Sequence, residues 1–257
     1  MIGNISAVVL AKNNEATIQK TLQSLREFED VVVYDNGSTD KTMEIAKQFS
    51  NVNLVQGEFK GFGWSKNRAA GFAKNDWILI IDSDEVIDDT LKKTLQQKKL
   101  DAHTVYILNF RAFYKNIEVK HCGWNNQKIK RLYNRTVTKY NDNDVHEDII
   151  TEGLHTEILD GNVLHYSYQS IEQFINKANT YSTLFAKNNA GKKYSSPAKA
   201  FFNGAYSFIK TYFFKQGFRD GYVGLVIAYS HMVTNFYKYI KLYELNKEQK
   251  NKKPGRH

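Results

Sequence analysis

The sequence predicts an α/β domain built on a mostly parallel sheet. Apolar runs of strand length stand at residues 5–10, 31–34, 52–55 and 78–81, and the segments between them repeat apolar residues at helical spacing. Strands that alternate with helices form parallel sheets through right-handed crossovers. The 257 residues suit one large domain with an appendage, and a core of that size is stable unaided.

Each predicted helix follows a strand. The helices are marked by Ile18, Leu22 and Leu25, by Met43, Ile45, Ala46 and Phe49, and by the segment after Gly61–Phe62–Gly63. The fourth strand, 78–81, is apolar throughout, which is typical of a parallel strand that is buried on both faces.

Two aspartates stand directly after this fourth strand. Asp82 and Asp84 are separated by one residue, and Glu85 follows them. Ligands of open α/β sheets bind beyond the carboxyl ends of the strands, and alternation along an extended chain would point both aspartates the same way. Their oxygens suit Mg²⁺ or Mn²⁺ shared with substrate phosphates. The competing interpretation is a solvated acidic cluster.

Four motifs in order resemble the family 2 glycosyltransferases, which have a GT-A fold. The motifs are Val8–Glu15, Tyr34–Asp40, Gly61–Arg68 and Asp82–Glu85. Two later segments, Val145–Glu147 and Leu164–Tyr168, resemble the bacterial branch that adds glucose or a similar sugar to the lipopolysaccharide inner core. The resemblance implies a Rossmann-like GT-A domain and an inverting, metal-dependent transfer from a UDP-sugar, with UDP-glucose expected, to a lipid-linked saccharide. Asp82 and Asp84 would hold the Mg²⁺ or Mn²⁺ against the diphosphate.

The first two motifs carry the nucleotide contacts that the resemblance implies. Asp35 would accept the uracil N3–H, and Glu15 would lie near the nucleotide. Asp35 also precedes Gly37 as in an Asx turn, and Glu15 stands where a helix opens, so that its charge would suit the helix dipole. Asp40 precedes the second helix, and its predicted role is to cap free N–H groups there.

The segment Gly61–Arg68 is not a dinucleotide loop, because a third glycine and a ribose-binding acid at the proper distance are missing. Lys66 and Arg68 lie near the expected helix start. We predict that they meet the diphosphate charge, the arginine by its fork and the lysine as a point charge. Solvation at the surface is the alternative.

The segment His146–Ile150 is not a zinc-protease helix, because Ile150 stands where the second histidine is required. The resemblance assigns Glu147 as the general base that deprotonates the acceptor hydroxyl, and Asp148 is the competing candidate. His165 is a candidate for contact with the metal or diphosphate, although a lone histidine among apolar and aromatic residues is more often packed.

Trp124 is the predicted acceptor-binding residue, because its ring can stack on a sugar face. Core packing is the equal alternative. Asn125–Asn126 replaces the aromatic-proline pair expected for the branch, so the branch's acceptor contacts do not carry over to these two residues.

The positive charge is concentrated at the end of the chain. Residues 192–257 contain 13 Lys/Arg and 3 Asp/Glu, a net charge of +10, and the remaining 23 and 24 leave −1. No run reaches the ~18 apolar residues of a membrane span. We predict a basic amphipathic helix on an anionic membrane surface, with packing on the catalytic domain and single-stranded nucleic acid as alternatives. Nucleic acid is disfavoured because no binding motif accompanies it. The predicted apolar face is Phe201, Ala205, Phe208 and Tyr212, with Lys199, Asn203 and Lys210 elsewhere around the helix.

Three functional segments are predicted: 1–110 for the nucleotide-sugar, 111–191 for the acceptor and catalysis, and 192–257 as a helical appendage that associates with the membrane. The single cysteine, Cys122, excludes an internal disulfide and suits a reducing compartment. No N-terminal signal is visible. The expected location is therefore the cytoplasm, peripheral on the inner face of a bacterial inner membrane.

Two other function classes remain open at this point. One is a catalytically idle saccharide-binding or assembly protein on the same fold, which UDP-sugar hydrolysis would distinguish from an enzyme. The other is a sugar nucleotidyltransferase, whose glycine-rich basic signature is missing near Leu10–Lys12.

Overall fold

A computed structural model describes residues 1–141 and 147–251 of the chain. Val145 and His146 of the motif named above lie outside the described residues. The chain forms two compact units, one of Met1–Arg111 with Asn126–Tyr166, the other of Ala112–Asn125 with the chain from Ser167 onward. The division into three functional segments stays a prediction.

Strands and helices alternate through the first 82 residues as the sequence predicts. The described residues form nine strands and seven α-helices. They are β1 (Ile2–Ala11), α1 (Ile18–Ser24), β2 (Phe28–Asp35), α2 (Thr42–Ala46), β3 (Val52–Gln56), α3 (Phe62–Ala70), β4 (Trp77–Asp82), β5 (Glu85–Ile87), α4 (Asp89–Gln97), β6 (Thr104–Tyr114), β7 (Ile117–Val119), β8 (Gln127–Asn134), β9 (His155–Tyr168), α5 (Ile171–Asn189), α6 (Pro197–Ile209) and α7 (Gly221–Asn251). A π-helical turn (Lys210–Phe214) and a 3-10 turn (Gly217–Asp220) join α6 to α7.

The sheet of the first unit is parallel on one side and antiparallel on the other. Its order is β3-β2-β1-β4-β8-β6-β9-β5. The pairs among β3, β2, β1 and β4 are parallel, whereas β4–β8, β6–β8 and β5–β9 are antiparallel. In register, Val8 lies between Val32 and Ile80, and all three are fully buried. The parallel part is therefore the part with continuous apolar runs, because helices cover both of its faces.

Three details of the helix ends differ from or confirm the sequence predictions. α1 begins at Ile18, so Glu15 precedes that helix, and its carboxylate accepts the backbone N–H of Lys41, the N-cap residue of α2. The helix-dipole interpretation of Glu15 stays a prediction. α3 begins at Phe62, which places Lys66 and Arg68 beyond its first turn rather than at its start. Asp40 accepts a hydrogen bond from the backbone N–H of Thr42, the first residue of α2, which confirms its capping role.

The second unit is helical around a small aromatic core, and α7 packs against both α5 and α6. Its buried cluster contains Ala112, Tyr114, Val119, Cys122, Phe174, Val223 and Ile227. The helical appendage that the sequence predicts is therefore present. Within the part of the chain that the structure describes, no helix combines the length and the apolar composition needed to cross a bilayer.

We expect this unit to lose stability in mild acid through His231. Burial lowers the pKa of His231 to about 4, and the charges of Lys215 and Lys238 act in the same direction. Between the unfolded pKa of 6.5 and about 4, the unfolded chain binds more protons, so the free energy of unfolding falls as pH falls. Urea unfolding at pH 7 and pH 5 should show a loss about 2 kcal/mol larger in the native chain than in His231→Gln. Equal losses would contradict the assignment.

Candidate active site

The acidic motif marks the point where β4 ends and the chain turns. Asp82 is the last residue of β4, Ser83 and Asp84 form a turn, and Glu85 begins β5. Because the chain turns here, strand alternation does not decide where Asp84 points. The side chains of Asp82 and Asp84 are 35% and 30% exposed, so both carboxylates are partly buried and still reach solvent.

Arg131 holds this turn from the neighbouring strand. β8 pairs antiparallel with β4, with Leu132 opposite Leu79. One terminal nitrogen of Arg131 donates to Asp82 Oδ2 at 2.9 Å and to Glu85 Oε1 at 2.7 Å. The other oxygen of Glu85 accepts the backbone N–H of Asp82 at 2.8 Å. Arg131 and Glu85 are both buried, so the arginine and the buried acid together fix the backbone that presents Asp82.

The two acids that Arg131 contacts titrate differently. Burial opposes the ionisation of Asp82, but the charges of Arg131 and Lys66 outweigh it and hold the pKa of Asp82 well below its usual range. Burial dominates at Glu85 and raises its pKa to about 7, although Arg131 opposes the shift. Asp82 is therefore an anion at neutral pH. Glu85 gives up its proton less readily, and its contact with Arg131 serves to hold the turn.

His165 contacts the other aspartate. It lies opposite Glu85 in the β5–β9 pair, and its Nε2 is 3.4 Å from Asp84 Oδ2. Burial lowers the pKa of His165, but the contact with Asp84 and the charges of Glu85 and Asp82 outweigh burial, and the net shift is upward. A metal or diphosphate contact of His165 stays a prediction.

Lys66 pairs with the predicted base. Its Nζ lies 2.7 Å from Glu147 Oε1 and 5.0 Å from the ring centre of Tyr140. A Cβ atom at Gly63 would stand 2.0 Å from the carbonyl oxygen of Asn141. The glycine therefore lets α3 approach this segment closely, and the approach brings Lys66 to Glu147. Since the charge of Lys66 also lowers the pKa of Asp82, the lysine connects the base electrostatically with the acidic turn.

Asp148, the competing base, has a different setting. Its carboxylate accepts from Lys130 at 2.7 Å and from the backbone N–H of Ile149 at 2.9 Å, and its side chain is 54% exposed. Both candidates are paired with a lysine. The partner of Glu147 is buried and lowers the pKa of Asp82, whereas the side chain of Lys130 is 23% exposed.

The loops after β1 and β2 are bonded to each other. Glu15 accepts the backbone N–H of Lys41 at 3.1 Å, and Asp40 accepts the N–H of Glu15 at 3.0 Å. Asp35 accepts from the backbone N–H groups of Gly37 and Ser38 and from the Ser38 hydroxyl, which is an Asx turn. The nucleotide roles of Glu15 and Asp35 stay predictions.

Arg68 lies apart from Lys66. It is exposed, and its guanidinium is 5.0 Å from the ring centre of Phe72. Lys66 is buried instead, so α3 does not present the two cations together. Arg68 lines a cavity of about 730 Å³, together with Tyr34, Gln56, Gly57, Glu58, Trp64, Asn67, Phe72 and Lys139.

Trp124 belongs to the aromatic core of the second unit. Its ring stacks on Tyr168 and Phe174, with centroids 5.4 Å and 6.1 Å away. Core packing accounts for these contacts, and the acceptor role of Trp124 stays a prediction.

Comparison with known proteins identifies the family. The sequence profile described as "Glycosyl transferase family 2" matches residues 6–152, which contain the acidic turn, Lys66, Arg131 and Glu147. The chain belongs to glycosyl transferase family 2. The resemblance to this family is therefore confirmed, and so are the predicted α/β GT-A-like fold and the prediction of an enzyme.

Similar chains in the family extend over almost the whole length of this glycosyltransferase. An uncharacterised glycosyltransferase of Rickettsia typhi is 30% identical, over 96% of this chain and 89% of its own. The lipopolysaccharide core biosynthesis glycosyltransferase LpsC of Rhizobium meliloti is 27% identical, over 93% and 92%. The crystal structure of TarS from S. aureus matches 83% of this chain and 45% of its own, at 17% identity and a TM-score of 0.46.

Proposed function

We propose that this glycosyltransferase transfers a sugar from a UDP-sugar to a hydroxyl of a lipid-linked saccharide such as the lipopolysaccharide inner core. The sugar that we propose is glucose. The observation that carries the proposal is the Asp82–Asp84 turn, fixed by Arg131 and connected to Glu147 through Lys66. The motifs of the sequence support the donor. The name of the relative LpsC supports the acceptor.

Asp82 and Asp84 are the residues that would hold a divalent cation. In the described residues no group of three or more His, Cys, Asp or Glu side chains could hold a metal. Two carboxylates nevertheless suit Mg²⁺ or Mn²⁺ well, because these ions complete their coordination with waters and substrate phosphates. When bound, the cation would neutralise charge that develops on the leaving diphosphate.

Asp35 would select the base of the donor. An ionised carboxylate offers about four lone-pair sites. Three donors from Gly37 and Ser38 already bind this one. The uracil N3–H would bind Oδ1, which the Ser38 hydroxyl contacts and which the Ser38 N–H approaches only to 3.3 Å. Glu15 and its partner Lys41 would hold the adjacent loop at the nucleotide.

Glu147 would act as the general base. The acceptor oxygen attacks the anomeric carbon, its proton passes to the Glu147 carboxylate, and the bond from the anomeric carbon to the phosphate oxygen breaks as UDP leaves with the electron pair. A single in-line displacement of this kind inverts the configuration. Lys66 binds Oε1 of Glu147, and within residues 1–141 and 147–251 Oε2 accepts no hydrogen bond. Oε2 is therefore the oxygen that would receive the proton.

Replacement of Asp84 tests the metal assignment. We expect Asp84→Ala to fold normally and to lose the gain in UDP affinity that Mn²⁺ confers on the native chain, because one of two oxygen ligands is missing. Calorimetric titration with UDP, with and without Mn²⁺, measures this. Asp89→Ala is the matched control, since Asp89 is an exposed acid on α4 that pairs with Lys92. Unchanged metal dependence in Asp84→Ala would remove Asp84 from the site.

A thermal-shift screen tests the donor. A ligand that binds only the folded chain raises its apparent stability, by about 2.7 kcal/mol at a hundred times Kd. UDP-glucose with Mn²⁺ should therefore raise Tm more than nucleotide sugars with another base. A larger shift with GDP- or CMP-sugars would overturn the role of Asp35.

A further inference from the structure

Helix α6 turns its small residues inward. Ala200, Gly204 and Thr211 are its buried positions and those of the π-helical turn that continues it. A Cβ atom at Gly204 would lie 3.1 Å from the carbonyl oxygen of Met232 on α7. The helix therefore packs closely through its small side chains, and its large apolar side chains are left on the other faces.

The outer face carries an aromatic stripe, which we define as Phe202, Tyr206, Ile209 and Phe213. Their spacing of four, three and four residues puts them on one side of a helix. They are 68%, 59%, 44% and 55% exposed, and Phe201, Phe214 and Phe218 beside them are also exposed. The face that the sequence predicts is not this stripe: Phe201 is exposed beside the stripe, whereas Ala205, Phe208 and Tyr212 are half-buried and Tyr212 stacks on Phe208.

Charge of one sign accompanies the stripe. Between Lys199 and Arg219 the chain has four basic residues and no acidic one. All four, Lys199, Lys210, Lys215 and Arg219, are exposed. A basic helix segment with a continuous face of aromatic and aliphatic side chains has the composition of segments that lie in the interface of an anionic bilayer.

We propose that the aromatic stripe inserts into the interfacial layer of a bilayer containing anionic lipid, while the four cations bind lipid headgroups. Apolar residues of this size rarely stay exposed in one patch unless they have a binding partner. A second copy of the chain fits less well. A two-fold contact through the stripe would bring its cations against identical cations, which is unfavourable. The lipid surface supplies the opposite charge.

Vesicle binding by the full chain tests this proposal. The vesicles are phosphatidylcholine alone or phosphatidylcholine with phosphatidylglycerol, and neither donor nor acceptor is present, so the result does not depend on the proposed reaction. We expect much stronger sedimentation with the anionic vesicles than with phosphatidylcholine alone. High salt should reduce this difference and leave a weaker binding that is similar for both, because salt screens charges and leaves apolar insertion intact.

Two double variants, each with a matched control, distinguish binding through the stripe and its cations from nonspecific adsorption to vesicles. Phe202→Ser with Phe213→Ser should weaken the partition about tenfold or more, whereas Phe59→Ser with Phe62→Ser, two aromatics of the first unit that are also about half exposed, should not. Lys210→Gln with Lys215→Gln should weaken it about tenfold or more, unlike Lys93→Gln with Lys99→Gln on or beside α4.

Three results would overturn the proposal. One is an absence of binding to anionic vesicles, and another is an equal loss in the control variants. The third is a dimer in sedimentation velocity that the Phe202 and Phe213 substitutions dissociate, which would make the stripe a contact between chains.

Discussion

Glu147→Gln is expected to bind a UDP-sugar nearly as the native chain does and to transfer the sugar about 100-fold more slowly or worse. The amide has the shape of the carboxylate and can still accept a hydrogen bond from Lys66, but it cannot take the proton of the acceptor. The affinity for the donor follows from calorimetry, and the transfer rate from mass spectrometry of the glycosylated acceptor.

Asp148→Asn is the matched control, because it makes the same chemical change one residue further along. Its carboxylate is bonded to Lys130 and to the backbone of Ile149, so a modest effect on transfer is expected. If Asp148→Asn loses transfer and Glu147→Gln keeps the native rate, the base is Asp148. Both variants should keep the native Tm, because an amide has the size and shape of a carboxylate. Measuring Tm shows that a loss of transfer is not a loss of fold.

The sequence predicted the parallel half of the sheet because local patterns determine it. The runs at 5–10, 31–34 and 78–81 are apolar at every or nearly every position, and that signal follows from burial on both faces. The antiparallel strand β8 has no comparable signal. β8 carries the charged residues Lys128, Lys130 and Arg131, and its pairing with β4 joins residues some fifty positions apart.

The sequence indicates candidate residues of the site but not the contacts between them. Motifs point to Asp82, Asp84 and Glu147, whereas no motif points to Arg131, and Glu85 stands out only as a neighbouring acid. Both are partners that long-range pairing supplies. One signal for Arg131 was available, because an arginine beside Leu132 and Tyr133 in a strand is a charge that requires a buried partner. Nothing local indicated that Lys66 would meet Glu147, 81 residues away.

Arg131→Met should lower the free energy of unfolding by about 3–5 kcal/mol, the range for breaking a buried ion pair by removing one partner. The methionine fills much of the volume, but Glu85 and Asp82 lose the cation that both accept from. Urea denaturation at pH 7 measures the loss. A change under 1 kcal/mol would show that the turn is held by other contacts.

Two further variants show whether the charge or the geometry of Arg131 matters. Arg131→Lys keeps the charge but lacks the planar fork, so it should recover only part of the stability. Adding Glu85→Gln to Arg131→Met removes the acid that is left buried, and it should also recover part, because an uncompensated charge costs more than a neutral amide. Recovery by both variants would mean that Arg131 neutralises the buried charge of Glu85 and also positions Asp82. The proposed cation site would then depend on the Arg131–Glu85 ion pair, which fixes Asp82 and does not include Asp84.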